Sequence, residues 1–289
     1  MEPCAGLVNR GDGIKMTVNT ILPMACSCQK IEGNTAWYAG TSGDRERSHS
    51  EAIPIRLALA AEQLEAIYRF RYRIYVEEMN RLQFDADHSI KRIEDPLDHG
   101  GYNFAAFQGN EVVGAVRVNF PRTSSIGHYE TYLDMRSAGF FHPSATSMCT
   151  RLMVAQRLRR TSLAVRLAQV SYKFGLVNRI RYNFVDCDDQ LTRFFARLGY
   201  IIHRRAVHPE YGMGTVMRLD LLDRAHLAQT RSPFLAIFDE AIEQLNDASQ
   251  GTRTAVSPRS ADHVHSVEVG ARSLLWQRRS RATPTEAEE

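Results

Sequence analysis

The stretch from Cys149 to Tyr200 constrains the fold of this 289-residue chain more than any other. It reads as a strand, a basic turn, a long amphipathic helix, a second strand and a short helix ending in Leu198-Gly199-Tyr200. The first strand is predicted over Met148–Val154. After Ser162, a predicted N-cap, Leu163, Leu167, Val170, Phe174 and Val177 recur at helical spacing. Arg181–Val185 is the second strand, and Leu191–Arg197 the short helix, with Gly199 as its C-terminal stop. A strand that feeds a helix through small and basic residues gathers backbone N–H groups and positive charge at one point. That arrangement favours a phosphate group.

The flanks supply the rest of a sheet. Leu64, Ile67, Tyr68, Arg71, Tyr72 and Tyr75 predict a helix over Ala60–Glu78. Asp95-Pro96 interrupts the polar, turn-rich Ile90–Gly101. Asn103–Phe107 and Val112–Asn119 flank Gln-Gly-Asn-Glu and read as a hairpin; Gly214–Leu221 reads as a late strand and Phe234–Leu245 as an amphipathic helix. Hairpin, then strand-helix-strand-helix-strand, predicts an α/β fold with a mixed sheet flanked by helices. The compact unit is expected over 53–247. Residues 1–50 and 248–289 mix small and charged residues without sustained periodicity, as flexible or weakly docked extensions do.

Composition narrows the setting. Five cysteines (Cys4, Cys26, Cys28, Cys149, Cys187) form neither a disulfide framework nor a zinc knuckle, so a reducing cytoplasm and no metal are expected. No apolar run approaches the roughly 20 residues of a membrane span. Between Arg151 and Arg205 stand twelve Arg or Lys against three Asp. Such a face attracts nucleic acid, an anionic membrane or an acidic protein. A nucleic-acid-binding module is the least favoured of these, because no helix-turn-helix, zinc-finger or RNA-recognition signature accompanies the charge.

Arg159-Arg160-Thr161-Ser162-Leu163-Ala164 resembles the Gln/Arg-x-x-Gly-x-Gly/Ala signature of the GCN5-related N-acetyltransferase superfamily, with Ser162 in place of the first glycine. Phe195-Ala196-Arg197-Leu198-Gly199-Tyr200 is similar to its later Tyr-x-x-x-Gly-Phe, with Phe195 where the superfamily often has a proton-donating tyrosine. Phe70-Arg71-Tyr72-Arg73-Ile74-Tyr75, Glu94-Asp95-Pro96-Leu97-Asp98, Val113-Gly114-Ala115-Val116-Arg117 and Cys149-Thr150-Arg151-Leu152 resemble successive motifs of acyl-homoserine-lactone synthases and the related N-acyl amino acid synthases. Two lactone-synthase features are missing: Met148 stands where those enzymes have a glutamate, and no Trp follows the opening helix before Asp95. The resemblance therefore implies the N-acyl amino acid synthase branch and an acyltransferase fold.

That resemblance implies direct attack of an amino acid's α-amine on the long-chain acyl thioester of acyl carrier protein, with no acyl-enzyme and no tightly bound cofactor. Asp95, Asp98 and Glu94 are the expected proton acceptors, or else a cap and salt-bridge cluster. Arg71, Arg117 and Arg151 are expected to orient those carboxylates or, for Arg117 or Arg151, to grip the substrate carboxylate. Leu152, Met153 and Val154 should offer backbone to the pantetheine, and Arg159, Arg160, Thr161, Ser162, Leu163 and Ala164 should receive its phosphate. Arg157, Arg193 and Arg197 extend the patch toward a carrier protein. Phe104, Phe107, Phe120, Phe140 and Phe141 are either core residues or the lining of an acyl-tail cleft. Acyl-CoA as donor, a small-amine N-acetyltransferase and a homoserine-lactone synthase are the alternatives within the same chemistry. A lipid product would bring peripheral contact with a membrane.

Overall fold

The computed structural model describes residues 53–254, with side chains described as far as residue 244. The expected extension over 1–50, including Cys4, Cys26 and Cys28, and residues 255–289 of the one expected over 248–289 lie outside the described residues; residues 248–254 of the latter are helical. The chain divides into two units after Leu235. In the first unit the strands are β1 (Ile55–Leu57), β2 (Ala86–Asp87), β3 (Arg92–Ile93), β4 (Gly101–Gln108), β5 (Glu111–Asn119), β6 (Thr146–Val154), β7 (Tyr182–Cys187), β8 (Ile201–His208) and β9 (Gly212–Asp220). Its helices are α1 (Ala61–Tyr72), α2 (Tyr129–Tyr132), α3 (Leu163–Val177), α4 (Thr192–Leu198) and α5 (Arg224–Gln229). The last helix, α6 (Leu235–Thr254), belongs from Ala236 onward to the second unit and is longer than the expected Phe234–Leu245.

Seven strands form one mixed sheet in the order β1-β4-β5-β6-β7-β9-β8, while β2 and β3 pair as a separate ribbon. All neighbours in the sheet are antiparallel except β6 and β7. The α/β architecture with a mixed sheet therefore holds. The hairpin β4–β5 turns at Gly109, whose φ of 61° suits glycine.

Alternation along β4 and β5 assigns the two faces of the sheet. Phe104 opposes Val116 and packs edge-on to Phe174 of α3. A side chain at Gly114 would collide with Leu167 and approach Leu163, so its absence lets α3 lie close to the sheet. Asn103 opposes Arg117, and both point to the other face, where α1 and the turns after it gather charged groups.

Two departures from regular structure shape that second face. The predicted helix Ala60–Glu78 is α-helical only to Tyr72 and continues as a π-helical turn over Arg73–Glu78. In β6, the register slips between Ala115 and Arg117 of its partner, so that Val116 faces two residues, Arg151 and Leu152. Arg151 adopts a left-handed backbone, φ 57°. This bulge re-aims the side chain, and Thr150 and Arg151 both reach groups on the α1 face.

Candidate active site

Five charged side chains alternate in sign across the α1 face. Arg71 of α1 grips Asp98 with two bonds, Nη1 to Oδ2 at 2.6 Å and Nη2 to Oδ1 at 2.9 Å, and also donates to Asn103 Oδ1 at 2.7 Å. Arg117 of β5 reaches Asp98 Oδ1 at 3.0 Å and Asp95 Oδ1 at 2.5 Å. Arg151 of β6 donates to Asp95 Oδ2 at 2.9 Å and to Gln83 Oε1 at 2.7 Å, under the ring of Tyr75 at 5.0 Å. The π-helical turn carries that tyrosine into place. Asp95 additionally caps the 3₁₀ turn Pro96–Asp98 by accepting from the Leu97 N–H at 3.0 Å.

The order Arg71–Asp98–Arg117–Asp95–Arg151 explains why so much charge tolerates burial. Each carboxylate is flanked by guanidinium groups, whose planar donors replace lost water. Burial alone would raise the Asp98 carboxyl, but the hydrogen bonds and charge of Arg71, with Arg117, hold it far below the ordinary carboxylate range. Burial works against Asp95 in the same way and is outweighed by Arg117 and Arg151. Both aspartates, expected as proton acceptors, thus stay ionised with their oxygens committed to arginine, and are poorly suited to take up a proton. Glu94 sits apart: it pairs with Arg92 at 2.5 Å rather than with Arg117 or Arg151. Arg71 is fully enclosed, whereas the Arg151 side chain keeps 11% of its surface.

Beside Arg151 the sheet opens. The parallel pairing of β6 with β7 covers only Thr146–Tyr182, Ser147–Asn183 and Met148–Phe184. Beyond it, Cys149–Val154 pair with β5 on one edge, and Val185–Cys187 pair with β9. The strands part, and the backbone of Leu152, Met153 and Val154 turns toward the gap an edge with no strand partner among the described residues, its Val154 carbonyl accepting from Arg159 Nε at 3.1 Å. At the end of that edge stands the turn before α3. Among the described residues, the backbone N–H groups of Ser162, Ala164 and Val165 find no acceptor, leaving donors at the positive end of the α3 dipole. Ser162, predicted as the N-cap, has helical backbone angles and makes no capping bond; Thr161 Oγ1 instead accepts from the Leu163 N–H at 3.3 Å.

The basic patch is smaller than its sequence count. Arg159 pairs with Glu78 and donates to the Val154 carbonyl; Arg157 pairs with Glu111 at 3.0 Å. Arg181 and Arg205 are paired with Asp220 and Asp189. Arg160, Arg193 and Arg197 are exposed and make no ion pair among the described residues. The five phenylalanines are not brought to one cleft. Phe104 and Phe120 pack on Phe174 beneath α3, Phe107 is half-buried on β4, and Phe140 and Phe141 lie together in the segment Met135–Phe141, Phe140 being 86% exposed.

Several residues at the gap escaped the sequence reading. Tyr129 and Tyr132 of α2, His208 and Tyr211 form an aromatic cluster, with His208 stacked on Tyr211 at 4.5 Å and its Nε2 3.1 Å from the Tyr129 hydroxyl. No motif links these positions in sequence. Burial pushes the Cys149 thiol up to about 11, away from the thiolate that nucleophilic chemistry needs.

No family model matches the chain, and no curated protein sequence matches it. Among solved structures, the chain is similar to FeeM, an N-acyl amino acid synthase from uncultured soil microbes, at 15% identity and a TM-score of 0.49, covering 61% of this chain and 95% of that one. The CoA-dependent acyl-homoserine lactone synthase BjaI gives 17%, 0.46, 59% and 82%. ElaA of Escherichia coli gives 15%, 0.43, 58% and 100%.

Proposed function

We propose that this chain is an N-acyltransferase that moves a long acyl group from the thioester of acyl carrier protein to the α-amine of an amino acid, without a covalent acyl-enzyme. The observation that carries the reading is the gap between β6 and β7, which joins a strand edge unpaired with β7, a helix N-terminus with open donors and the Arg151 end of the ion ladder. An extended pantetheine arm pairs with such an edge as another strand would, and its amides lie along Leu152–Val154. Its phosphate meets the N–H groups of Ser162 and Ala164 beside Arg160. Backbone donors in the gap polarise the thioester carbonyl. Arg160, Arg193 and Arg197, unpaired and exposed, face the acidic surface of the carrier, with Arg157 at the margin.

In this reading Arg151 grips the substrate carboxylate, because it alone of the ladder arginines retains accessible surface. Arg71 and Arg117 act as positioning residues through Asp98 and Asp95. The reaction needs no tightly bound cofactor, and an acyl amino acid product partitions to a membrane surface from a cytoplasmic enzyme. Among the described residues no helix is long and apolar enough to cross a membrane. A lactone synthase is disfavoured by Met148, which is fully buried in an apolar cluster with Phe184 and Leu133 rather than presenting a carboxylate.

Incubation of the purified chain with hexadecanoyl acyl carrier protein, acetyl-CoA, S-adenosylmethionine and the proteinogenic amino acids, read by mass spectrometry, tests this. An N-hexadecanoyl amino acid is the expected product. Turnover of acetyl-CoA alone, or formation of a lactone, would overturn it.

A further inference from the structure

The ladder carboxylates are held ionised by arginine, so the amine's proton needs another destination. We propose that Asp186 of β7 is a catalytic residue that accepts the proton of the substrate ammonium, an assignment that rests on the acyl-transfer reading above.

The geometry comes first. Asp186 lies two residues past Phe184, the last β7 residue paired with β6, so it stands on the strand that borders the opening. Alternation places it on the same face as Phe184, which packs with Tyr132, and hence on the Arg151 side of the sheet. It remains half-buried, and its carboxylate has no side-chain hydrogen-bond partner among the described residues. Nearby, the Tyr132 hydroxyl is buried and unpartnered, and lies so close to β9 that a side chain at Gly214 would strike it. An unsatisfied polar group in a buried setting is uncommon, and the Tyr132 hydroxyl is one such group in this corner of the gap.

The charged and titratable surroundings are Arg151 from β6, Cys187 and Asp188 from the same strand end, and Tyr129 and Tyr132 from α2, with His208 and Tyr211 behind Tyr129. Burial raises the Asp186 carboxyl to about 6, while its own backbone N–H and Arg151 oppose the rise and Asp188 adds to it. A carboxylate so raised is ionised at neutral pH and is a stronger base than a surface aspartate. Arg151 and Asp186 thereby offer opposite charges to the two ends of a zwitterion.

The step balances without an outside reagent. The Asp186 carboxylate takes one proton from the ammonium, the neutral nitrogen forms the C–N bond to the thioester carbon, and the C–S bond breaks. The nitrogen's second proton neutralises the departing thiolate, consistent with the absence of a hydroxyl at Phe195.

The test measures kcat/KM for the amino acid against pH with hexadecanoyl acyl carrier protein, for the wild type, Asp186→Asn and Asp186→Glu. The wild type should rise to a plateau above a midpoint near pH 6. Asp186→Asn should lose about 100-fold or more at pH 7 with the donor KM unchanged, then climb about tenfold per pH unit as free amine accumulates. Asp186→Glu should regain most of the rate and the plateau. A second readout is independent of turnover: the wild-type melting temperature should gain on Asp186→Asn as pH falls from about 6 toward 4, because a raised carboxyl favours the protonated folded state. Wild-type rate and profile in Asp186→Asn would overturn the assignment alone, and a pH-independent difference in melting would overturn the raised carboxyl. A wild type inactive with every donor would overturn the acyl-transfer reading and the assignment together.

Discussion

At the scale of single residues, Asp98 shows how a plausible catalytic group becomes a structural one. Its position near arginines was legible from sequence, because a guanidinium set among apolar residues demands a partner. Which oxygen faces which donor was not, and that decides the role. With its side chain 1% exposed and both oxygens on Arg71, Asp98 holds a charge that would otherwise be stranded. Asp98→Asn should therefore destabilise the fold by about 3–5 kcal/mol, as removing one partner of a buried pair does, and chemical denaturation monitored by circular dichroism would check it. Because the Asp98 carboxyl is lowered in the fold, its contribution is present above the unfolded carboxylate range near pH 4 and disappears as pH falls through the folded value. The variant's melting temperature should approach that of wild type only in strong acid. Asp186, by contrast, carried no signal at all. A lone Asp in a strand becomes distinctive only when its neighbouring strand turns away.

The elements divide along the same line. The β4–β5 hairpin and α3 were readable because a turn between alternating runs, and an apolar stripe at helical spacing, each satisfy one local rule. Strand β8 was not recognised: its exposed edge carries Arg204 and Arg205, and a register slip between Ile202 and Arg204 breaks the alternation. The bulge at Arg151 was equally silent, since one extra residue requires neither glycine nor proline. The turn before α3 is basic in sequence, but its arginines differ in kind. Arg159 is tied to Glu78, whereas Arg160 has no ion-pair partner among the described residues. Arg160→Glu should therefore raise the carrier-protein KM by about 5- to 10-fold by charge repulsion with the fold intact, while Arg159→Glu should also lower the melting temperature. Steady-state kinetics beside thermal denaturation separates the two. Equal donor KM values in Arg160→Glu and wild type would remove this turn from the donor site.

For the whole molecule, a net charge of +3 is unremarkable, and the structure shows why the local count of arginines overstates the patch. Pairing with Asp189, Asp220, Glu78 and Glu111 neutralises much of it, leaving Arg160, Arg193 and Arg197 among the unpaired charges. Association with an acidic carrier should still weaken with salt, because exposed charges are screened over about 10 Å at 0.1 M ionic strength. The carrier-protein KM should rise several-fold between low and physiological salt, with kcat nearly constant, in the same assay run across a sodium chloride series. A flat KM would remove electrostatic steering from the account.

The ion ladder has a property that follows from counting alone. A row of alternating charges with an odd number of members must carry the same sign at both ends, and here both ends are arginine. Arg71's end is closed by Asn103 and the Ile93 carbonyl, so the row's unmatched positive charge is expressed at Arg151, beside the gap. Removing a rung would change this parity: loss of either aspartate would put two arginines in sequence, and loss of Arg151 would leave Asp95 as a negative terminus. The positive charge that the row presents at the gap is therefore a property of its length as much as of its last member.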